Sequence, residues 1–272
     1  MSAIAEASAP ALTIDAVFSV LKLLARRSRP IAGVYAIFAV TMFVLKLPVI
    51  LASAIVAFFD SGVLGLGLAG FSLFWGVLLL VPGAVFAIAD IGMARSFRLA
   101  AFSPDEVGGI FSIIRRSLGG FFSLAVFAVP FTLVGAIAGA MCVLPGLAYF
   151  LFLGPATYLV AARETDMVSA CKQSVEMVQR NIGPAAVAAV ACVVVIGVGA
   201  GIAVVANLFV HVVGAIVGRM LGAGIANAGT SLVTSVLWLG TYAAMFAVAL
   251  IRNAFYVAMD AHENGLRVVE SA

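Results

Sequence analysis

From Asn181 to Gly218 the chain carries no acidic or basic residue apart from His211. Such a run suits a helix in hydrocarbon, where about 20 apolar residues suffice to cross a core roughly 30 Å thick. Uncharged runs of that size recur at about 31–51, 69–91, 119–141, 144–162, 184–206 and 231–251, apart from Lys46 and Asp90. The expected fold is therefore all-α, a polytopic membrane protein with six transmembrane helices forming one integral membrane domain over 1–272.

Composition closes the other classes. Hydrophobic residues make up 64% of the chain and charged ones 10%, against about 45–50% and about 25% in soluble domains. Disorder would need the opposite bias. The net charge of +3 gives no footing for nucleic-acid binding. Cys142, Cys171 and Cys192 are an odd, widely spaced set without a CxxC pair, and read as packing residues. Residues 1–12 lack the basic leader of a cleavable signal peptide.

The basic residues set an orientation. Lys22, Arg26, Arg27 and Arg29 precede the first span, and Arg95, Arg98, Arg115 and Arg116 lie between the second and third. Arg163, Lys172 and Arg180 lie between the fourth and fifth, and Arg252 and Arg267 follow the sixth. Of the fifteen, only Lys46 and Arg219 fall elsewhere. The positive-inside rule then puts both termini in the cytoplasm of a bacterial inner membrane protein. A seventh span through 211–228 would reverse the last loop against that rule. Two apolar stretches exceed a bilayer: Pro48 offers a kink after which Val49–Phe59 lies in the outer interface, or the first span tilts, and the surplus at 207–228 predicts an extra outer segment.

Three basic segments, 13–29, 103–118 and 165–181, which precede the first, third and fifth spans, share a pattern. Each opens on an acid two residues before a valine (Asp15, Asp105, Asp166), ends on arginine, and has helical periodicity. Ser103 and Pro104 form a helix-start signal for the second, whose apolar stripe would be Val107, Ile110, Phe111, Ile114 and Leu118. Acid-first, base-last order also follows from the helix dipole alone. Because each segment precedes two spans, the pattern suggests a threefold parallel repeat of amphipathic helix plus hairpin. The helices would lie at the cytoplasmic interface, with Arg26, Arg27, Arg115, Arg116 and Arg180 near anionic lipid, or pack beneath the bundle as elbows.

Intramembrane polar residues are the functional candidates. Lys46 either snorkels outward or pairs within the bundle, or it lines a ligand or ion path. Asp90 matches the depth of Arg252 and Asn253, which favours pairing. Asp60 reads as solvated. His211 has no neighbouring ligand for a metal, and Gly135/Gly139 and Gly214/Gly218/Gly222 read as helix-packing glycines. Pro145–Gly146 reads as a turn between spans three and four, and Pro155 as a kink. No nucleophile elbow, zinc-protease, paired-carboxylate or phosphate-loop pattern occurs, so neither an enzyme nor a cofactor is expected.

Residues 142–190, with Pro145, Gly146, Glu164, Ala170, Ser174 and Arg180 in place, resemble the central signature of the membrane-domain superfamily of glycerophosphodiester phosphodiesterases and YciC-type bacterial inner-membrane proteins. The closing Ala254–Asp260 stretch is similar to the end of those domains. The resemblance implies a six-helix inner-membrane domain, often without assigned function. The catalytic part of such phosphodiesterases is a separate soluble domain, so no active-site residue carries over. The expected role is a structural, lipid-interacting or partner-binding membrane module, its partners the bilayer, anionic lipid, a second copy or another membrane protein; the alternative is a small transporter or channel-like carrier.

Overall fold

A computed structural model describes residues 12–59, 62–141, 143–221, 223–266 and 268; Asp60, Cys142, Gly222 and Arg267 lie outside them. Every described element is helical: α1 (Ile14–Arg27), α2 (Arg29–Phe59), α3 (Gly62–Gly92), α4 (Ala94–Phe102), a single 3₁₀ turn (Pro104–Glu106), α5 (Ile110–Ser117), α6 (Phe121–Met141), α7 (Val143–Arg163), α8 (Met167–Arg180), α9 (Ile182–Leu221) and α10 (Ala223–Glu263). Four helical stretches are long and apolar enough to cross a membrane, Arg29–Ala52, Gly70–Phe102, Ile182–Met220 and Gly229–Glu263, and α5 with α6, bent by 67°, would make a fifth. These are the helices of a multi-pass membrane protein.

The packed core occupies one end of the bundle, here called the base. It gathers the start of α2 (Ile31, Val34, Tyr35), the end of α3 with α4 (Phe86 to Ala101), the start of α6 (Leu124, Phe127), the second half of α7 (Ala156 to Ala161) and the end of α10 (Ala249 to Met259). Away from the base α2, α3 and α9 expose Val40, Leu51, Leu73, Leu80, Val198, Val205 and Phe209. In water those side chains would collapse onto one another; in lipid they need no protein partner.

Local chemistry explains the amphipathic helices. Thr13 caps α1 by accepting from the Ala16 N–H, and Asp166 caps α8 by accepting from Val168 and Ser169. Hydrogen bonds from the Ser169 side chain and backbone hold the Asp166 carboxyl below its ordinary range. The α1 helix packs against α10 and α4, burying Val20 and Leu24 while Ile14 and Phe18 stay exposed. It is an elbow beneath the bundle that keeps an apolar outer edge.

The segment at 103–118 departs from expectation. Ser103 makes no capping bond, and the helix begins only after Gly108, whose φ of +73° suits glycine, and Gly109. Val107 is buried and Ile110 and Ile114 pack partly buried against the core as the stripe expects, but Ile113 and Ser117 are buried too and Phe111 is 84% exposed. The three acids also stand in different places: within the first turn of α1, in the 3₁₀ turn, and at the cap of α8.

Four further corrections concern ends. Pro48 lies inside a continuous α2 of 31 residues, about 46 Å long at 1.5 Å per residue, so Val49–Phe59 continues the helix of the first span and forms no separate segment. The surplus at 207–228 extends the hairpin: α9 has 40 residues and α10 has 41, about 60 Å each, and no separate seventh helix lies between them. Pro145 and Gly146 sit in the first turn of α7, where proline is tolerated. Finally, α4 was not expected; it continues the path of α3 beyond a break at Met93.

Gly92 marks a close backbone approach. A Cβ there would lie 2.1 Å from the Ser117 carbonyl oxygen, with other Ser117 backbone atoms at 2.8 and 3.0 Å. Nothing flexible can yield, so Gly92→Ala is expected to destabilise the base by about 1–3 kcal/mol. Gly197→Ala, with nothing within 4 Å of the added carbon, should be neutral or gain up to about 1 kcal/mol in helix propensity. Thermal unfolding in detergent micelles compares the two, and equal midpoints would refute the close approach. Elsewhere a Cβ on Gly135 would meet Tyr149 and Phe150 at 2.9 Å, and one on Gly214 would meet Thr230 Oγ1 at 2.4 Å, which accords with packing roles for these glycines.

Candidate functional site

Two polar centres lie in the base. In the first, the fully buried carboxylate of Asp260 on α10 takes four donors. Oδ2 accepts from Arg98 Nε (3.0 Å) and the Tyr158 hydroxyl (2.7 Å), and Oδ1 accepts from Arg163 Nη2 (2.5 Å) and Asn264 Nδ2 (2.9 Å). Helices α4, α7 and α10 are thereby joined through one side chain. A buried carboxylate is stable only with such compensation.

Beside it opens a pocket of about 430 Å³ lined by Arg95, Arg98, Leu99, Arg116, Ala162, Arg163 and Glu164. Arg95 donates to the carbonyls of Ala161 (2.5 Å) and Gly119 (3.0 Å) and lies 3.5 Å from Glu164. Arg116 donates to the carbonyls of Val107 (3.1 Å) and Glu106 (3.0 Å). Glu164 has a φ of +55° in the α7–α8 turn.

The second centre joins α2, α3 and α10. Arg252 Nη2 donates to Asp90 Oδ2 at 2.9 Å, and the Tyr35 hydroxyl donates to Asp90 Oδ1. Tyr35 packs edge-on against Phe86 and Phe246, and Phe86 against Tyr242. These rings restrict water around the pair. Depth along the spans had placed Asp90 and Arg252 together, and they meet.

Lys46 is not part of that pair. It lines a separate cavity of about 430 Å³ between α2, α3, α9 and α10, with Ser72, His211, Thr230, Ser231, Thr234 and Ser235. Nearby, Trp75 Nε1 donates to the Leu45 carbonyl. Among the described residues no group of three or more His, Cys, Asp or Glu side chains could hold a metal ion.

The five arginines expected near anionic lipid divide. Arg26, Arg115 and Arg180 are exposed, with Arg180 3.9 Å from the exposed Glu176. Arg27 donates to the Ala100 carbonyl (3.1 Å), and Arg116 belongs to the pocket. Of the residues on which a family resemblance was expected, Ala170 and Ser174 are buried, and Ser174 Oγ donates to the Phe152 carbonyl at 2.6 Å, tying α8 to α7. Sequence reading missed the grouping of Arg95, Arg98, Arg163, Tyr158 and Asp260. Their one visible signal was an acid closing the apolar run Ala254–Asp260.

Comparison with protein-family models, with curated proteins and with solved structures finds no match.

Proposed function

We propose that this chain is a non-enzymatic module of a bacterial inner membrane that binds anionic lipid at its cytoplasmic face. In this reading α2, α3, α6, α7, α9 and α10 are six spans, the base and both termini face the cytoplasm, and the three elbows with their following hairpins form a parallel repeat. The likeness to the membrane domains of glycerophosphodiester phosphodiesterases and YciC-type proteins belongs to the same proposal. So does pairing with a second copy or another membrane protein.

The observation that carries it is the outer edge of the elbows. Exposed apolar side chains, Phe18 on α1, Phe111 on α5 and Val168 on α8, accompany exposed arginines on the same helices, Arg26, Arg115 and Arg180. Apolar insertion beside cations is how interfacial helices hold anionic leaflets, each base contributing about 1 kcal/mol.

The pocket around Lys46 favours a second reading, a small carrier, because an ammonium and several hydroxyl-bearing residues line one open pocket between apolar helices. One set of preparations separates the two. Protein extracted in mild detergent should retain anionic lipid above its share of the membrane, and a triple Arg26→Gln, Arg115→Gln, Arg180→Gln variant should lose that enrichment. In reconstituted vesicles the first reading expects no release of entrapped chloride or phosphate. Release that Lys46→Leu abolishes, with no lipid enrichment in the parent, would replace it with the carrier.

A further inference from the structure

The pocket beside Asp260 holds more positive charge than its carboxylates neutralise. Four guanidiniums line it, those of Arg95, Arg98, Arg116 and Arg163. Among the described residues two carboxylates form ion pairs with them, Asp260, shared by Arg98 and Arg163, and Glu164, 3.5 Å from Arg95 with its side chain 78% exposed, and the Glu263 carboxylate lies in the field of Arg163, which still leaves three carboxylates to four guanidiniums. Carbonyl oxygens take up the remaining bonds of Arg95 and Arg116. Carbonyls orient a guanidinium without cancelling its charge.

That distinction matters for binding. Arginine side chains normally lose rotamer freedom when they close on a ligand, and here four separate elements have already fixed them: α4, α5, α7 and, through Asp260, α10. Binding therefore meets a smaller ordering cost. The planar fork suits tetrahedral oxyanions, to which it donates in parallel pairs. The volume of about 430 Å³ falls in the range of small-molecule sites, about 300–1,000 Å³, so it admits a phosphate with a small group attached. Leu99 and Ala162 supply an apolar wall for that group.

We propose that the pocket lined by Arg95, Arg98, Arg116 and Arg163 is a phosphate-binding site, its ligand a phosphate group carried by a lipid headgroup or by a small soluble molecule. The site deepens the lipid-binding reading and rests on it only for the source of the phosphate. Glu164 stands at the rim as the anion that a ligand phosphate would compete with for Arg95.

The test uses the full chain in a neutral detergent. Binding is followed by thermal shift and native mass spectrometry, with inorganic phosphate, short-chain phosphatidate and short-chain phosphatidylglycerol as probes and chloride at matched ionic strength as control. At least one phosphate probe should raise the unfolding temperature saturably where chloride does not. Arg116→Gln should weaken that binding by about tenfold or more, the loss expected for one charge-assisted hydrogen bond. Glu164→Gln should strengthen it by a few fold, and because Glu164 is exposed this variant keeps the test decisive should Arg116→Gln fail to fold. Binding of the lipids alone, or of lipids and free phosphate, upholds both the site and the lipid source. Free phosphate binding with no lipid binding upholds the site and removes the lipid source. No saturable binding by any probe, or affinity unmoved by Glu164→Gln, overturns the site, even if lipid enrichment through Arg26, Arg115 and Arg180 persists.

Discussion

Asp260→Ala is expected to destabilise the protein by about 3–5 kcal/mol, the usual consequence of removing one member of a buried charge cluster. The substitution leaves Arg98, Arg163 and Tyr158 without the oxygens that receive them at 2.5 to 3.0 Å, while Asn264 keeps only the backbone carbonyl of residue 260 at 2.9 Å. Two of these are cations, now without the buried charge that offset their desolvation. Because α4, α7 and α10 meet at this carboxylate, the base should loosen as a unit. Asp260→Asn keeps the volume but offers one acceptor oxygen and adds an N–H facing donors, so it should fall only slightly short of the alanine variant. Glu164→Gln is the contrast: its pair with Arg95 is exposed and long, and such pairs contribute about 0–1 kcal/mol. Thermal unfolding and protease susceptibility in micelles measure all three. Midpoints for Asp260→Ala and Glu164→Gln within a degree of each other would mean that the cluster does not hold the base together.

What could be read from the sequence follows from where the physics is local. The α1 and α8 helices are legible because a capping side chain, a periodic stripe and terminal arginines all lie within 20 residues of one another. The existence of spans is legible because hydrocarbon excludes charge. Their ends are less so: hydropathy reports which solvent a residue tolerates, and α9 and α10 continue as apolar helix well past the thickness of a bilayer core. The segment at 103–118 misleads because Gly108 and Gly109 interrupt a pattern whose apolar spacing runs straight across them. Ile110 and Ile114 of the expected stripe still pack against the core, whereas Phe111 turns outward and Ile113 takes a buried place.

The two polar centres differ in the same way. Asp90 and Arg252 could be matched because each sits at the base end of a span, so depth alone brings them level. The arginine pocket could not, since Arg95 and Arg98 lie on α4, Arg116 on α5 and Arg163 on α7. Their convergence depends on an unexpected helix and on the close contact at Gly92. On the sequence Arg95, Arg98 and Arg163 serve only as a topology signal and Arg116 also as an expected anionic-lipid contact; the fold brings all four to one pocket at the base.

The Asp90–Arg252 pair permits a double-substitution test in which the single changes should be far worse than both together. Asp90→Leu leaves the Arg252 guanidinium beside Tyr35 and Tyr256 with its carboxylate gone, and it deprives the Tyr35 hydroxyl of its acceptor. Arg252 Nε has no acceptor among the described residues, so Asp90 is the main compensation for that charge. Arg252→Leu in turn strands the carboxylate, though Tyr35 still donates to it, which makes this single change the milder of the two. Each should cost about 3–5 kcal/mol. In the double variant no charge remains to be desolvated, leucine occupies both positions, and the lost hydroxyl partner at Tyr35 contributes about 1–3 kcal/mol. Stability should therefore recover most of the way, giving a coupling of about 2 kcal/mol or more between sites 162 residues apart in sequence. Unfolding of the four proteins in the same detergent closes the cycle. Additive losses, with the double variant least stable of all, would show that the two charges act independently and that α3 and α10 are held together by something other than this pair.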